Sequence, residues 1–67
     1  MNVFYCLIHL PGTATPELDV LDAETLSEAM ARLVRIPRDW PGLHGVELYC
    51  CNDLIDRFQA NDLLAAA

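Results

Sequence analysis

Val3-Phe4-Tyr5-Cys6-Leu7-Ile8-His9-Leu10, closed by Pro11-Gly12, is the stretch on which the fold turns. It is short, rich in aliphatic and aromatic residues, and ended by a turn dipeptide, which marks a strand that is apolar on both faces and therefore central in its sheet. Alternation puts Phe4, Cys6, Ile8 and Leu10 on one side, with Val3, Tyr5, Leu7 and His9 on the other. A run of eight residues is too short to span a bilayer, and Met1-Asn2 places no basic side chain before it. A central strand needs neighbours, and the rest of the chain supplies them.

Pro11 to Pro16 reads as a loop, and Glu17 to Leu21 as a second strand with Leu18 and Val20 inward and Glu17 and Asp19 outward. An acidic outer side suits an edge strand, because charge opposes edge-to-edge pairing. Asp22 is a candidate N-cap, and Glu24 complements the helix dipole. Leu26, Ala29, Met30, Leu33 and Val34 then follow the i, i+3, i+4 stripe of an amphipathic helix. Pro37 disfavours helical geometry at Ile36, so the helix is expected to stop near Arg35. Residues 37–45 read as a loop, and Val46 to Cys51 as a third strand. Beyond it two readings stand. Leu54 to Phe58 forms a fourth strand through a tight turn at Asn52-Asp53, followed by a frayed helical tail, or Asn52 caps a helix running towards Ala67. The strand is the preferred reading. The fold expected is a single α+β domain over residues 1–67: a small antiparallel sheet of three to four strands with one amphipathic helix on one face, ββαββ in order.

Charge narrows the function classes. The 67 residues carry ten Asp and Glu against four Arg and no Lys, a net charge of −6, while 54% of the chain is apolar. A disordered acidic tail lacks that apolar content, so a real core is expected. Glu17, Asp19, Asp22, Glu24 and Glu28 fall within twelve residues with no basic residue before them, and Arg32, Arg35 and Arg38 follow within seven. Such a surface attracts basic protein and repels nucleic acid. Trp40, the one tryptophan, sits in a Pro/Gly loop beside Arg38 and Asp39. Trp and Arg are frequent interface anchors, so Trp40 and Arg38 are candidate contact residues; folding of Trp40 back onto the small core is the competing reading.

Catalytic and metal chemistry find little support in the spacing. Cys6-x-x-His9 has a zinc-like interval, but on a strand the two residues point to opposite faces, as do Cys50 and Cys51. Three cysteines, two of them adjacent, make a poor disulfide framework and suit reduced thiols in the cytoplasm. No nucleophile elbow, glycine-rich phosphate loop or calcium loop occurs. No catalytic residue, metal or cofactor is therefore assigned, and the chain is expected not to be an enzyme.

The succession of aromatic strand, acidic strand, Ala/Leu helix, Val46-Glu47-Leu48 and Asp53-Leu54-Ile55-Asp56 resembles small uncharacterised bacterial ββαββ domains. In size, acidity and lack of catalytic motifs the chain also resembles phage-encoded anti-CRISPR inhibitors. That resemblance implies a stoichiometric, non-catalytic inhibitor in the cytoplasm of a bacterial host. It would present Glu17, Asp19, Asp22, Glu24 and Glu28 to a basic nucleic-acid-binding subunit, such as one of a type I CRISPR effector, without binding nucleic acid or membrane itself. The alternative is a homo-oligomeric domain that uses the spare side of the first strand (Tyr5, Leu7, His9) as its interface, its charge serving solubility. The first accommodates a monomer; the second requires at least a homodimer.

Overall fold

The computed structural model describes residues 3–66; Met1, Asn2 and Ala67 lie outside them, and with them the reading made of Met1-Asn2 and the last residue of the tail. Four strands and three helices follow in the order β1 (Phe4–His9), β2 (Glu17–Leu21), α1 (Leu26–Leu33), α2 (Ile36–Asp39), β3 (Gly45–Cys50), β4 (Asp53–Gln59) and α3 (Ala60–Ala66). The strands form one antiparallel sheet in the order β2-β1-β3-β4, so the α+β class is observed and β1 is central, as its two apolar sides require. The fork after Cys51 resolves as strand then helix. The hairpin itself turns one residue earlier than expected, with Cys51 (φ 54) and Asn52 (φ 72) as its two left-handed residues. Two consecutive positive φ values give a loop whose twist matches that of the flanking strands.

Phe4, Cys6 and Ile8 of β1, Val46 and Leu48 of β3, and Leu21 of β2 point to one side and are buried. Ala29, Leu33, Ile36, Leu43 and Leu63 cover them. The whole is thin, with Cα extents of 34 × 25 × 17 Å, as expected for one sheet with helices on a single face.

Three expectations need correction. The faces of β2 are inverted: pairing Phe4 with Leu21, Tyr5 with Val20 and Leu7 with Leu18 turns Leu21 inward and leaves Leu18 and Val20 61% and 64% exposed. Asp19, opposite Cys6, is half-buried on the helix side. A one-residue change of phase exchanges every side chain of a strand between faces, and here the anchor is Leu21 beside Phe4. The helix starts later than Asp22. Thr25, with extended backbone, is the N-cap: its Oγ1 accepts from the Glu28 amide at 3.2 Å and donates to Glu28 Oε1 at 3.3 Å. Finally, the expected loop after Arg35 opens with α2. Ile36 and Pro37 occupy its first turn, where a missing amide hydrogen costs nothing because first-turn amides have no partner within the helix. This second turn buries Ile36 as the helical stripe continues past the kink. Within the stripe, Ala29 and Leu33 are buried, Met30 and Val34 are partly buried against the core, and Leu26 is 48% exposed.

Candidate functional site

With all three helices on one side, the other face of the sheet stands open. Alternation along β1 sends Tyr5, Leu7 and His9 to it, β2 adds Leu18 and Val20, and β3 adds Glu47 and Tyr49. Tyr5 and Tyr49, directly paired across β1 and β3, stack at 5.1 Å between centroids and 1° between planes. The Tyr5 hydroxyl donates to Asn52 Oδ1 at 3.3 Å, which ties the stack to the β3–β4 turn. On the far side of the pair, Leu54 lies opposite Tyr49, and a bulge between Leu48 and Tyr49 leaves Ile55 as the extra residue of β4. Leu54 and Ile55 are 43% and 41% exposed. Four strands about 4.8 Å apart and five to seven residues long make a face of roughly 19 by 18 Å, or about 350 Å² in projection. The apolar part of that area, from Leu18 and Val20 through Leu7 and the tyrosine pair to Leu54, is contiguous, and apolar patches on a protein surface often mark contact sites.

One end of the face is polar and balanced. Glu47 accepts from Arg57 Nε at 2.9 Å through Oε2 and meets His9 Nε2 at 2.7 Å through Oε1. Its side chain is only 16% exposed, against 44% and 72% for the two partners. The hydrogen bond from His9, and then that from Arg57, holds the carboxyl below the usual carboxylate range, against the opposing effect of its desolvation. Glu47 and Arg57 cancel, so the open face is close to neutral in a chain of net charge −6. His44, Gly45 and Phe58 continue this end into a shallow depression.

The acidic residues singled out from the sequence lie elsewhere. Glu17, Asp22, Glu24 and Glu28 are exposed on and after the edge strand β2, and Asp19 is half-buried on the helix side. Folding brings the arginines back to them: Arg32, Arg35 and Arg38 line a cleft of about 250 Å³ together with Asp19, Asp22 and Asp39. Arg32 Nε also donates to the Asp22 carbonyl at 3.3 Å. Carboxylates that run unbalanced in the sequence are thus partly balanced in space. Trp40 closes α2 and is partly buried against the core, while Arg38 is exposed.

The cysteines differ sharply. Cys6 is fully buried, and desolvation, with the charge of Asp19, pushes its thiol up to about 12. Cys51 is exposed and its thiol is lowered, chiefly by a hydrogen bond from the Val3 backbone. Cys50 is half-buried and raised, first by desolvation. The sulfurs of Cys50 and Cys51 lie 3.6 Å apart, which corrects the expectation that alternation separates them: the strand ends at Cys50, and the left-handed turn at Cys51 folds its side chain back. Among the described residues no three His, Cys, Asp or Glu side chains converge as a metal site. No helix among them is long and apolar enough to cross a membrane.

Sequence reasoning passed over Leu18, Val20, Glu47 and Arg57. The apolar second face of Val3–Leu10 was the available signal, because a strand apolar on both sides needs partners on both. Comparison of the chain with protein-family models, with curated proteins and with solved structures finds no match.

Proposed function

We propose that this protein is a non-catalytic interaction module whose working surface is the open face of its sheet, and that the occupant of that face is a second copy of the chain. The exposed apolar patch centred on the Tyr5–Tyr49 stack carries the reading. Charge selects the occupant. A basic partner would seek the carboxylates of the β2 edge and of the Glu24–Glu28 segment rather than a near-neutral face, whereas a copy of this acidic chain can approach only where its own charge is cancelled. Sheet-on-sheet packing, about 10 Å between layers, would bury Leu18 and Val20 and turn two thin two-layer molecules into one four-layer body. The His9–Glu47–Arg57 cluster would lie at the rim, where polar groups of an interface stay hydrated.

Sedimentation analysis over a range of concentrations tests this. The wild-type chain should form a dimer, and Leu18→Lys with Val20→Lys should be a folded monomer, because both side chains are solvent-exposed in the single chain. A wild type that stays monomeric up to about 1 mM, where an interaction weaker than roughly 4 kcal/mol would go undetected, removes the reading.

A second reading, the acidic inhibitor of a basic nucleic-acid-binding protein, is supported by the net charge of −6 and by the exposure of Glu17, Glu24 and Glu28. Its test is capture of such a partner from bacterial lysate that weakens as salt rises, since exposed ion pairs are screened. Glu17→Lys with Glu24→Lys should abolish that capture while leaving the dimer intact.

A further inference from the structure

The β3–β4 hairpin puts a cysteine where the backbone least favours one. Left-handed turn positions belong to Gly, Asn and Asp, and an ordinary L side chain is disfavoured there. Asn52 (φ 72) obeys the rule, and Cys51 (φ 54) does not. The conformation is held from outside the turn by the Cys51 amide, which donates to the Val3 carbonyl at 3.1 Å and extends the β1–β3 ladder by one bond. The result is that the Sγ atoms of two sequential residues face one another at 3.6 Å, one exposed and one half-buried, at the end of the molecule remote from the His9–Glu47–Arg57 cluster.

That separation has a chemical meaning. Two thiolates on one tetrahedral ion, with metal–sulfur bonds of about 2.3 Å, stand roughly 3.7 Å apart. The pair therefore already has the bite of a tetrahedral chelate. A linear two-coordinate ion with bonds of the same length would need about 4.6 Å and would force the turn open. A disulfide is the poorer use of the pair, because adjacent Cα atoms lie about 3.8 Å apart, below the usual range for a bridge, which begins at about 4.4 Å.

We propose that Cys50 and Cys51 form a bidentate thiolate half-site for a tetrahedral, thiophilic divalent cation of the zinc class. No third ligand from the chain joins them among the described residues, so the remaining two positions are filled by water, by a small thiol or by the same pair of another copy. Binding displaces the two thiol protons to solvent, which makes affinity rise with pH. The site stands independently of the surface reading above, since its two sulfurs do not contribute to the tyrosine-centred patch.

The experiment is an anaerobic titration of the reduced protein with Cd²⁺, a spectroscopic stand-in for Zn²⁺, following thiolate-to-cadmium charge transfer in the near ultraviolet. The wild type should develop the band and saturate at one ion per chain or one per two chains. Cys51→Gly suits the positive φ and keeps the hairpin folded, so loss of the band in that variant reports a lost ligand rather than a lost fold. Cys50→Ser should lose it as well. Absence of the band in the wild type, or its persistence at unchanged affinity in Cys51→Gly, overturns the proposal.

Discussion

Leu18 and Leu21 differ by three positions on one strand, and truncating each to alanine gives a sharp test of the sheet register. Leu21 is 7% exposed and packs beside its partner Phe4, so Leu21→Ala removes about three buried carbons and leaves a cavity the rigid sheet cannot close. Core Leu→Ala changes cost about 2–5 kcal/mol, and a site at the end of a strand belongs in the lower half, about 2–3 kcal/mol. A chain of 67 residues has a total stability of roughly 3–10 kcal/mol, so the loss is a large share of the whole. Leu18 is 61% exposed, and Leu18→Ala should cost less than about 1 kcal/mol. Urea unfolding followed by Trp40 fluorescence reads both. With a slope near 1 kcal/mol per molar, Leu21→Ala lowers the midpoint by about 2–3 M and Leu18→Ala by under about 1 M. Protein at low micromolar concentration keeps self-association out of the comparison. Equal losses, or a larger loss at Leu18, would show that β2 presents Leu18 inward and would refute both the register and the open face built on it.

Other outcomes follow from single side chains. At pH 8 an alkylating reagent should modify Cys51 first and leave Cys6 untouched until unfolding, because a buried thiol titrating at about 12 is thiolate in only about one molecule in ten thousand; this is read by mass spectrometry with and without denaturant. Glu47 is held below its ordinary pKa, so its contribution to stability is complete above the unfolded carboxyl value of about 4.3 and is lost as pH falls through the lower folded value. The wild type should therefore lose more Tm than Glu47→Gln between about pH 5 and about pH 3, and parallel curves would contradict the cluster. Gly45→Ala would put a Cβ 2.9 Å from the Phe58 carbonyl oxygen across the β3–β4 pair; it should destabilise by about 1–3 kcal/mol, measured as a lower urea midpoint with unchanged slope.

The central strand, the amphipathic helix and the order of the first elements were legible because each rests on a periodicity longer than its own ends, whereas residues 54–67 left strand and helix both open. The faces of β2 were not legible, because the alternation of Glu17-Leu18-Asp19-Val20 favours Leu18 and Val20 inward, and only the pairing of Leu21 with Phe4 overrides it. The same phase error hid how far the open face extends beyond Tyr5, Leu7 and His9: reading Leu18 and Val20 as core assigned to the interior two of the side chains that make the surface. Spatial proximity explains the rest. Nothing in a linear reading places Arg35 and Arg38 in one cleft with Asp19, or shows that a turn at Cys51 sets its sulfur against that of Cys50.

The position of β1 in the sheet also governs how the chain reaches its fold. β1 can zip to β2 across a short loop, but its other edge must wait for β3, whose partner for Phe4 is Cys50. Two helices intervene, so closing that pairing spends chain entropy before any contact repays it. The rate-limiting barrier should thus lie in docking the β3–β4 hairpin onto a preformed β1–β2 unit, with a relaxation in the millisecond range typical of mixed folds rather than the microseconds of helical bundles. Until it docks, the Phe4–Cys6–Ile8 side of β1 lacks the Val46 and Leu48 side chains that complete its core, and the hydrogen-bonding edge of the same strand is unpaired, which makes the early hairpin, and not the finished sheet, the species most prone to aggregate.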